Sequence, residues 1–288
     1  MADVKKKIIV TGSSGQLGSE LKELSRNDQR FDFLFLSRDQ LEITNESSVK
    51  NILEAHRPQF LINCAAYTAV DKAETEKQLA DEINGTAVGN LAKHCGALQI
   101  KFLHLSTDYV YNGEGRNPLK ETDLVDPINY YGRSKLMGER LAFRNNPQTI
   151  IIRTSWVYSY YGHNFVKTMI RLMKEREFIN VVNDQYGSPT YALDLAEAIL
   201  EIIGSGRWTS GIYNFSNEGI ISWFDFAIEI KRQLGFSCKI NPISTSEFPT
   251  AAKRPAWSVL DNSKIQQTYG IKLKPWHESL QRCIERLC

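Results

Sequence analysis

Apolar residues in the first half of the chain alternate between two patterns. Short unbroken runs rich in Ile, Val, Leu and Phe predict buried strands over 7–10, 31–36, 59–64, 101–105 and 149–153. Between them, apolar residues return at three- and four-residue spacing and predict helices over 47–56, 84–95 and 129–143. The junction after the first run is the most telling. Lys7-Ile8-Ile9-Val10 leads into Thr11-Gly12-Ser13-Ser14-Gly15-Gln16-Leu17-Gly18, and Leu17, Leu21 and Leu24 then recur at helical spacing. Strand, glycine turn and helix follow one another without a break. Amides at the start of such a helix favour an anion, and a glycine in the turn lets a pyrophosphate approach. Gly18, inside the helix, permits close packing on the strand.

Regular strand–helix alternation predicts an α/β fold of Rossmann type, a doubly wound parallel sheet with helices on both faces. Ligands then sit beyond the C-terminal strand ends. From Tyr158 the rhythm loosens: helices are predicted over 165–175, 192–203, 222–234 and 275–287, separated by short strands, loops and Pro242, Pro249 and Pro255. The expected division is a dinucleotide-binding domain over 1–157 and a smaller C-terminal domain, mainly for substrate, over 158–288. Strands of the second part are expected to interleave with the first.

Composition narrows the partners. Among 288 residues, 35 basic against 33 acidic side chains leave a formal charge of +2 and give no case for nucleic acid or a membrane surface. The first seven residues hold no apolar signal region, and no apolar run approaches membrane-spanning length, so a cytoplasmic protein is expected. Five cysteines (Cys64, Cys95, Cys238, Cys283, Cys288) are scattered without metal-ligand spacing, which suits reduced thiols. His56, His94, His104, His163 and His277 form no ligand cluster in sequence and are taken as structural or surface residues.

The candidate chemistry lies in Tyr131-Gly132-Arg133-Ser134-Lys135. Four residues along a helix return Lys135 to the face of Tyr131, and a nearby ammonium should draw the phenol down from its ordinary value near ~10 toward neutrality. A phenol so tuned is a general acid. Tyr130 is five residues from Lys135, off the shared face. Tyr and Lys also fall four apart by chance on ordinary helix surfaces, so the pair gains its meaning from the glycine loop upstream. Together they describe hydride transfer at a carbonyl carbon. Thr107, at the end of the fourth run, is placed to hydrogen-bond the carbonyl oxygen; the alternative is that Ser106 and Thr107 simply cap a turn.

With glycines spaced Gly-x-x-Gly-x-x-Gly and the Tyr/Lys pair downstream, the whole chain resembles the extended short-chain dehydrogenase/reductase family. Asp108 is followed by Tyr109, where sugar-nucleotide dehydratases carry an Asp-Glu pair, so elimination chemistry is not expected. The segments 63–71, 153–158 and 183–190, together with Arg254-Pro255, are similar to the dTDP-4-dehydrorhamnose reductase branch. That resemblance implies reduction of the C4 ketone of dTDP-4-dehydro-L-rhamnose to dTDP-L-rhamnose. It implies Thr107, Tyr131 and Lys135 as catalytic residues, and Lys135 also as holding the nicotinamide ribose. Asp108, Trp156, Gln185 and Arg254 would bind substrate, Arg254 through its diphosphate. Trp156 as a core aromatic, Gln185 as a turn residue and Arg254 as a surface charge are the plain alternatives.

Gly12, Gly15, Gln16, Leu17 and Gly18 would hold the cofactor, with Ala65 and Ala66 small enough to lie against it. Ser37 and Arg38 follow the second run where NAD-specific sites usually place an acid, which favours NADPH; NADH stays open, with Asp39 serving the ribose. Some relatives bind Mg2+ between subunits on acidic side chains. Glu20 matches one such position, but Leu193 occupies another, so no metal site is expected and a homodimer stays open. Two rival functions also stay open: an NADP-binding regulatory subunit like the methionine adenosyltransferase β subunit, and a nucleotide-sugar epimerase.

Overall fold

The structure is a computed structural model and describes residues 5–287; Met1–Val4 and Cys288 lie outside the described residues. Six parallel strands form the central sheet in the spatial order Gly211–Phe215, Ile150–Thr154, Lys101–Thr107, Phe60–Asn63, Lys6–Thr11, Phe31–Leu36. Every neighbouring pair is parallel, from Lys6 opposite Phe31 at one edge to Gly211 opposite Ile150 at the other. The chain runs outward from the first strand to the second, then returns to the other side of the first. The switch point therefore lies between Lys6–Thr11 and Phe60–Asn63, where open α/β sheets bind ligands.

Alternation along the first strand shows how the two faces are filled. Ile8 and Val10 pack with Leu17, Leu21, Leu195 and Ile199, whereas Ile9 packs on the opposite face with Leu53 and Leu91. Helices thus cover both sides, as burial of a continuous apolar strand demands. A third cluster, Tyr158, Val166, Met169, Phe226, Ile230, Leu280 and Ile284 among others, is built wholly from later residues. The strand Gly211–Phe215 and the helix Ala192–Gly204 belong instead to the sheet and its core.

Most predicted bounds lie within two residues of those observed, and 31–36 and 165–175 coincide with Phe31–Leu36 and Phe165–Glu175. The helix expected over 84–95 begins earlier and is interrupted: Lys77–Asp81 leads through a wide π-type turn, Glu82–Thr86, into Ala87–Ala97. Asn84 explains the widening. Its amide is bonded to both the backbone N–H and C=O of Tyr67 and to the Ser134 hydroxyl, so its side chain ties three segments together. Among the described helices none is long and apolar enough to cross a membrane.

Candidate active site

Gly12 turns with φ +65, and a Cβ there would stand 2.6 Å from the backbone nitrogen of Ala65, so the loop fits against the end of the third strand only as glycine. Gly18 likewise lies against the turn itself, 2.5 Å from the Gly12 carbonyl at its Cβ position. Gly15 differs: its φ is −76, and a Cβ would meet no protein atom closer than 3.3 Å. It caps the helix Gln16–Ser25, whose first turn has neither a side-chain cap nor an acidic residue. The amides of that turn face the opening without a protein side chain to satisfy them, the arrangement that suits a phosphate anion.

Gly12 and Gly15 border a cavity of about 550 Å³ at the switch point. Gly12, Gly15, Gln16, Leu17, Ala65, Ala66, Arg38, Tyr131 and Lys135 are among its lining residues. Cys64, Thr44, Gly162 and His163 also line it, and the sequence had not marked them. Gly18, Ser37, Thr107, Asp108, Trp156, Gln185 and Arg254 are not among the lining residues. Arg38 is exposed and pairs with Glu42 at 3.2 Å, while the backbone N–H of Ser37 donates to Gln40. Bare helix amides, an adjoining glycine and an exposed guanidinium on the same cavity fit a dinucleotide carrying a 2′-phosphate.

Tyr131 and Tyr130 separate clearly. The Tyr130 hydroxyl donates to Asp81 at 2.6 Å, away from the cavity, and its backbone N–H donates to Glu74. Tyr131 faces the cavity, with the ring of Tyr109 edge-on at 5.9 Å. The expected tuning by Lys135 is corrected. Burial and the neighbouring Asp108 charge raise the Tyr131 phenol above its ordinary range, opposed by a hydrogen bond with Thr107. Lys135 does not drive this shift, because its ammonium position is committed elsewhere: Nζ donates to the Leu105 carbonyl at 2.6 Å and lies 3.3 Å from His104 Nε2. Burial lowers Lys135 itself to about 8.

Thr107 is tied to both neighbours. Its hydroxyl donates to Asp108 Oδ1 at 3.0 Å and accepts from the Tyr109 N–H. Asp108 is buried, its Oδ2 has no partner, and burial raises its carboxyl to about 7 against hydrogen bonds from Thr107 and Ser258. Ser258 links this group to Trp156: a Cβ on Gly187 would touch both, at 2.8 and 2.7 Å. Trp156 holds a left-handed backbone, φ +48, and stacks on Trp223 at 3.5 Å. A large residue at positive φ is a strained arrangement that the surrounding fold must maintain. Gln185 is buried and donates to the Thr245 hydroxyl at 3.0 Å. Arg254 donates from Nη2 to Asp71 at 2.7 Å, yet its Nη1 is buried without a partner. The charges of Arg254 and Asp71 both reach the phenol of Tyr109, whose ring packs edge-on against Tyr131.

Glu20 is fully buried, receiving the Ser159 hydroxyl at 2.6 Å and Arg286 at 2.8 Å. Leu193 packs on the third apolar cluster. Among the described residues no group of three or more His, Cys, Asp or Glu is placed to share an ion.

Residues 6–288 match the family model described as the RmlD substrate binding domain. The dTDP-4-dehydrorhamnose reductase of Aggregatibacter actinomycetemcomitans is 42% identical over 96% of this chain and 97% of its own. Two solved structures superpose with TM-scores of 0.94. One is a dTDP-4-dehydrorhamnose reductase from Bacillus anthracis in complex with NADP, 41% identical over 98% of this chain and 99% of that one. The other is a dTDP-4-dehydrorhamnose reductase from Clostridium acetobutylicum, 40% identical over the same shares.

Proposed function

The chain belongs to the dTDP-4-dehydrorhamnose reductase family, and from that premise we propose that it reduces the C4 ketone of dTDP-4-dehydro-L-rhamnose to dTDP-L-rhamnose with NADPH. The observation that carries the reading is the common cavity, lined both by Gly15 at the uncapped helix start and by Tyr131. NADPH, when bound, supplies a hydride to C4 of the sugar. Tyr131 gives its phenolic proton to the ketone oxygen, so that a secondary alcohol results. Its raised pKa keeps the phenol protonated at neutral pH but makes it a weaker acid than a phenol tuned toward neutrality. Thr107 hydrogen-bonds the same carbonyl oxygen alongside Tyr131, and Lys135 orients the cofactor ribose. Ser37 and Arg38 take the 2′-phosphate, and Ala65 and Ala66 leave room for the cofactor backbone.

In the same proposal Asp108, Trp156 and Gln185 contact the sugar nucleotide, and the unpartnered Nη1 of Arg254 takes a diphosphate oxygen. The dinucleotide part comprises 1–157 together with Ala192–Gly204 and Gly211–Phe215; the rest of 158–288 serves the sugar nucleotide. A cytoplasmic location matches a reaction that draws on free nucleotide sugar. The test is to mix the protein with NADPH and dTDP-4-dehydro-L-rhamnose and follow absorbance of the reduced cofactor. Stoichiometric oxidation supports the reductase. Sugar isomerisation without cofactor consumption would make the chain an epimerase.

A further inference from the structure

His104, set aside in sequence as structural, sits at the centre of a buried polar chain that reaches from the glycine loop to Lys135. The Thr11 hydroxyl donates to Asn63 Oδ1 at 2.6 Å, Asn63 Nδ2 lies 3.0 Å from His104 Nδ1, and His104 Nε2 lies 3.3 Å from Lys135 Nζ. All four side chains are buried.

The chain has a direction. The backbone N–H of Ala65, which can only donate, also points at Asn63 Oδ1, at 3.2 Å. That fixes the amide: its oxygen faces Ala65 and its NH2 faces His104. An amide NH2 cannot accept, so His104 Nδ1 must be the bare, accepting nitrogen. A neutral imidazole then carries its proton on Nε2, aimed at Lys135. An ammonium has no lone pair to receive it, and burial disfavours an imidazolium. Only a neutral amine completes the bond, accepting from His104 while donating to the Leu105 carbonyl.

We propose that His104 is a positioning residue that favours the neutral amine of Lys135 through an Nε2–H···Nζ hydrogen bond, and so sets the fraction of Lys135 that carries charge near neutral pH. Other groups facing Lys135 do not reverse this. Glu139, one turn along the helix, is paired with Arg153 from the fifth strand at 2.6 Å. Cys64 at the end of the third strand is kept as a thiol, with burial pushing it up to about 12. Tyr131, on the same helix, is kept neutral by burial. The inference depends on the reading above only in taking Lys135 as part of the hydride-transfer site.

Two NMR measurements on the full chain test it without turnover. Long-range 15N–1H correlation of labelled histidine should show His104 with a bare Nδ1 and a protonated Nε2; the opposite tautomer would overturn the proposal. With lysine labelled at Cε, and the Lys135 signal assigned by its loss in Lys135→Met, the titration midpoint should lie near 8. His104→Phe removes the donor and should raise proton affinity about tenfold, or one pH unit. His104→Gln, which can accept from Asn63 and donate to Lys135, should restore the parent midpoint. Equal midpoints in parent and His104→Phe would overturn the proposal. If His104→Phe does not fold, the parent tautomer decides. Turnover enters neither reading, so failure here leaves the reductase assignment untouched.

Discussion

Removing the Arg254 guanidinium separates substrate recognition from stability, because its surroundings predict different sizes for the two effects. The pair with Asp71 is half open to water, with side-chain exposures of 19% and 46%, so its loss should cost no more than about 1 kcal/mol. Asp71 also keeps a second role, accepting the Ala252 N–H at 3.0 Å, and should hold the loop in the variant. The buried Nη1 has no protein partner to lose. If it donates to a diphosphate oxygen, Arg254→Ala forfeits a charge-assisted hydrogen bond of about 1.5–3 kcal/mol, and KM for the dTDP-sugar rises about 10–150-fold. Steady-state kinetics, inhibition by free dTDP and a urea denaturation curve check this together. KM and the dTDP inhibition constant should rise in parallel, NADPH affinity should hold, and the midpoint should barely move. A stability loss of several kcal/mol with KM unchanged would make Arg254 a structural anchor and refute the reasoning.

The other side chains offer equally direct expectations. Gly15→Val is compatible with φ −76, and its Cβ would press on the Gly12 carbonyl oxygen at 3.3 Å, a contact a small shift of the turn relieves, so the variant should fold yet lose NADPH binding in a fluorescence titration; retained affinity would place the pyrophosphate elsewhere. Arg38→Ala should weaken NADPH at least about tenfold while sparing NADH, since only NADPH presents a phosphate to it; equal losses would return the ribose contact to Asp39. Asp108, with its carboxyl raised to about 7, favours the fold while protonated and withdraws that support as pH rises from about 4 through 7. Asp108→Asn should remove this dependence, which is worth up to about 4 kcal/mol, and gain on the parent at pH 8 in urea denaturation; parallel pH profiles would show Asp108 ionised without cost.

The central sheet was legible because its strands are buried on both faces and therefore written as unbroken apolar runs, as in Phe31–Leu36. The glycine loop and the Tyr131/Lys135 pair were legible because each is local, held by a turn or by one helix turn. The segment Lys77–Asp81 was not, since its charged residues carry weak periodicity and its continuation depends on Asn84 reaching Tyr67 and Ser134. The same limit applies within the site. Spacing brings Lys135 to the face of Tyr131, but it cannot show that His104 and the Leu105 carbonyl claim the lysine nitrogen, or that burial outweighs its charge at the phenol. Contacts of Arg254 with Asp71 and of Asp108 with Ser258 join segments far apart in the chain, so only the fold discloses them.

Hydride arriving at C4 while Tyr131 protonates the oxygen is the step that isotope transfer reads directly. NADPH deuterated at nicotinamide C4 on the transferred face is incubated with dTDP-4-dehydro-L-rhamnose and either the parent or Tyr131→Phe. The parent should yield dTDP-L-rhamnose with one deuterium at sugar C4. The variant should bind NADPH and transfer deuterium slower by about 10²–10⁴. Deuterium absent from C4, or transfer by Tyr131→Phe within a few-fold of the parent, would contradict the mechanism.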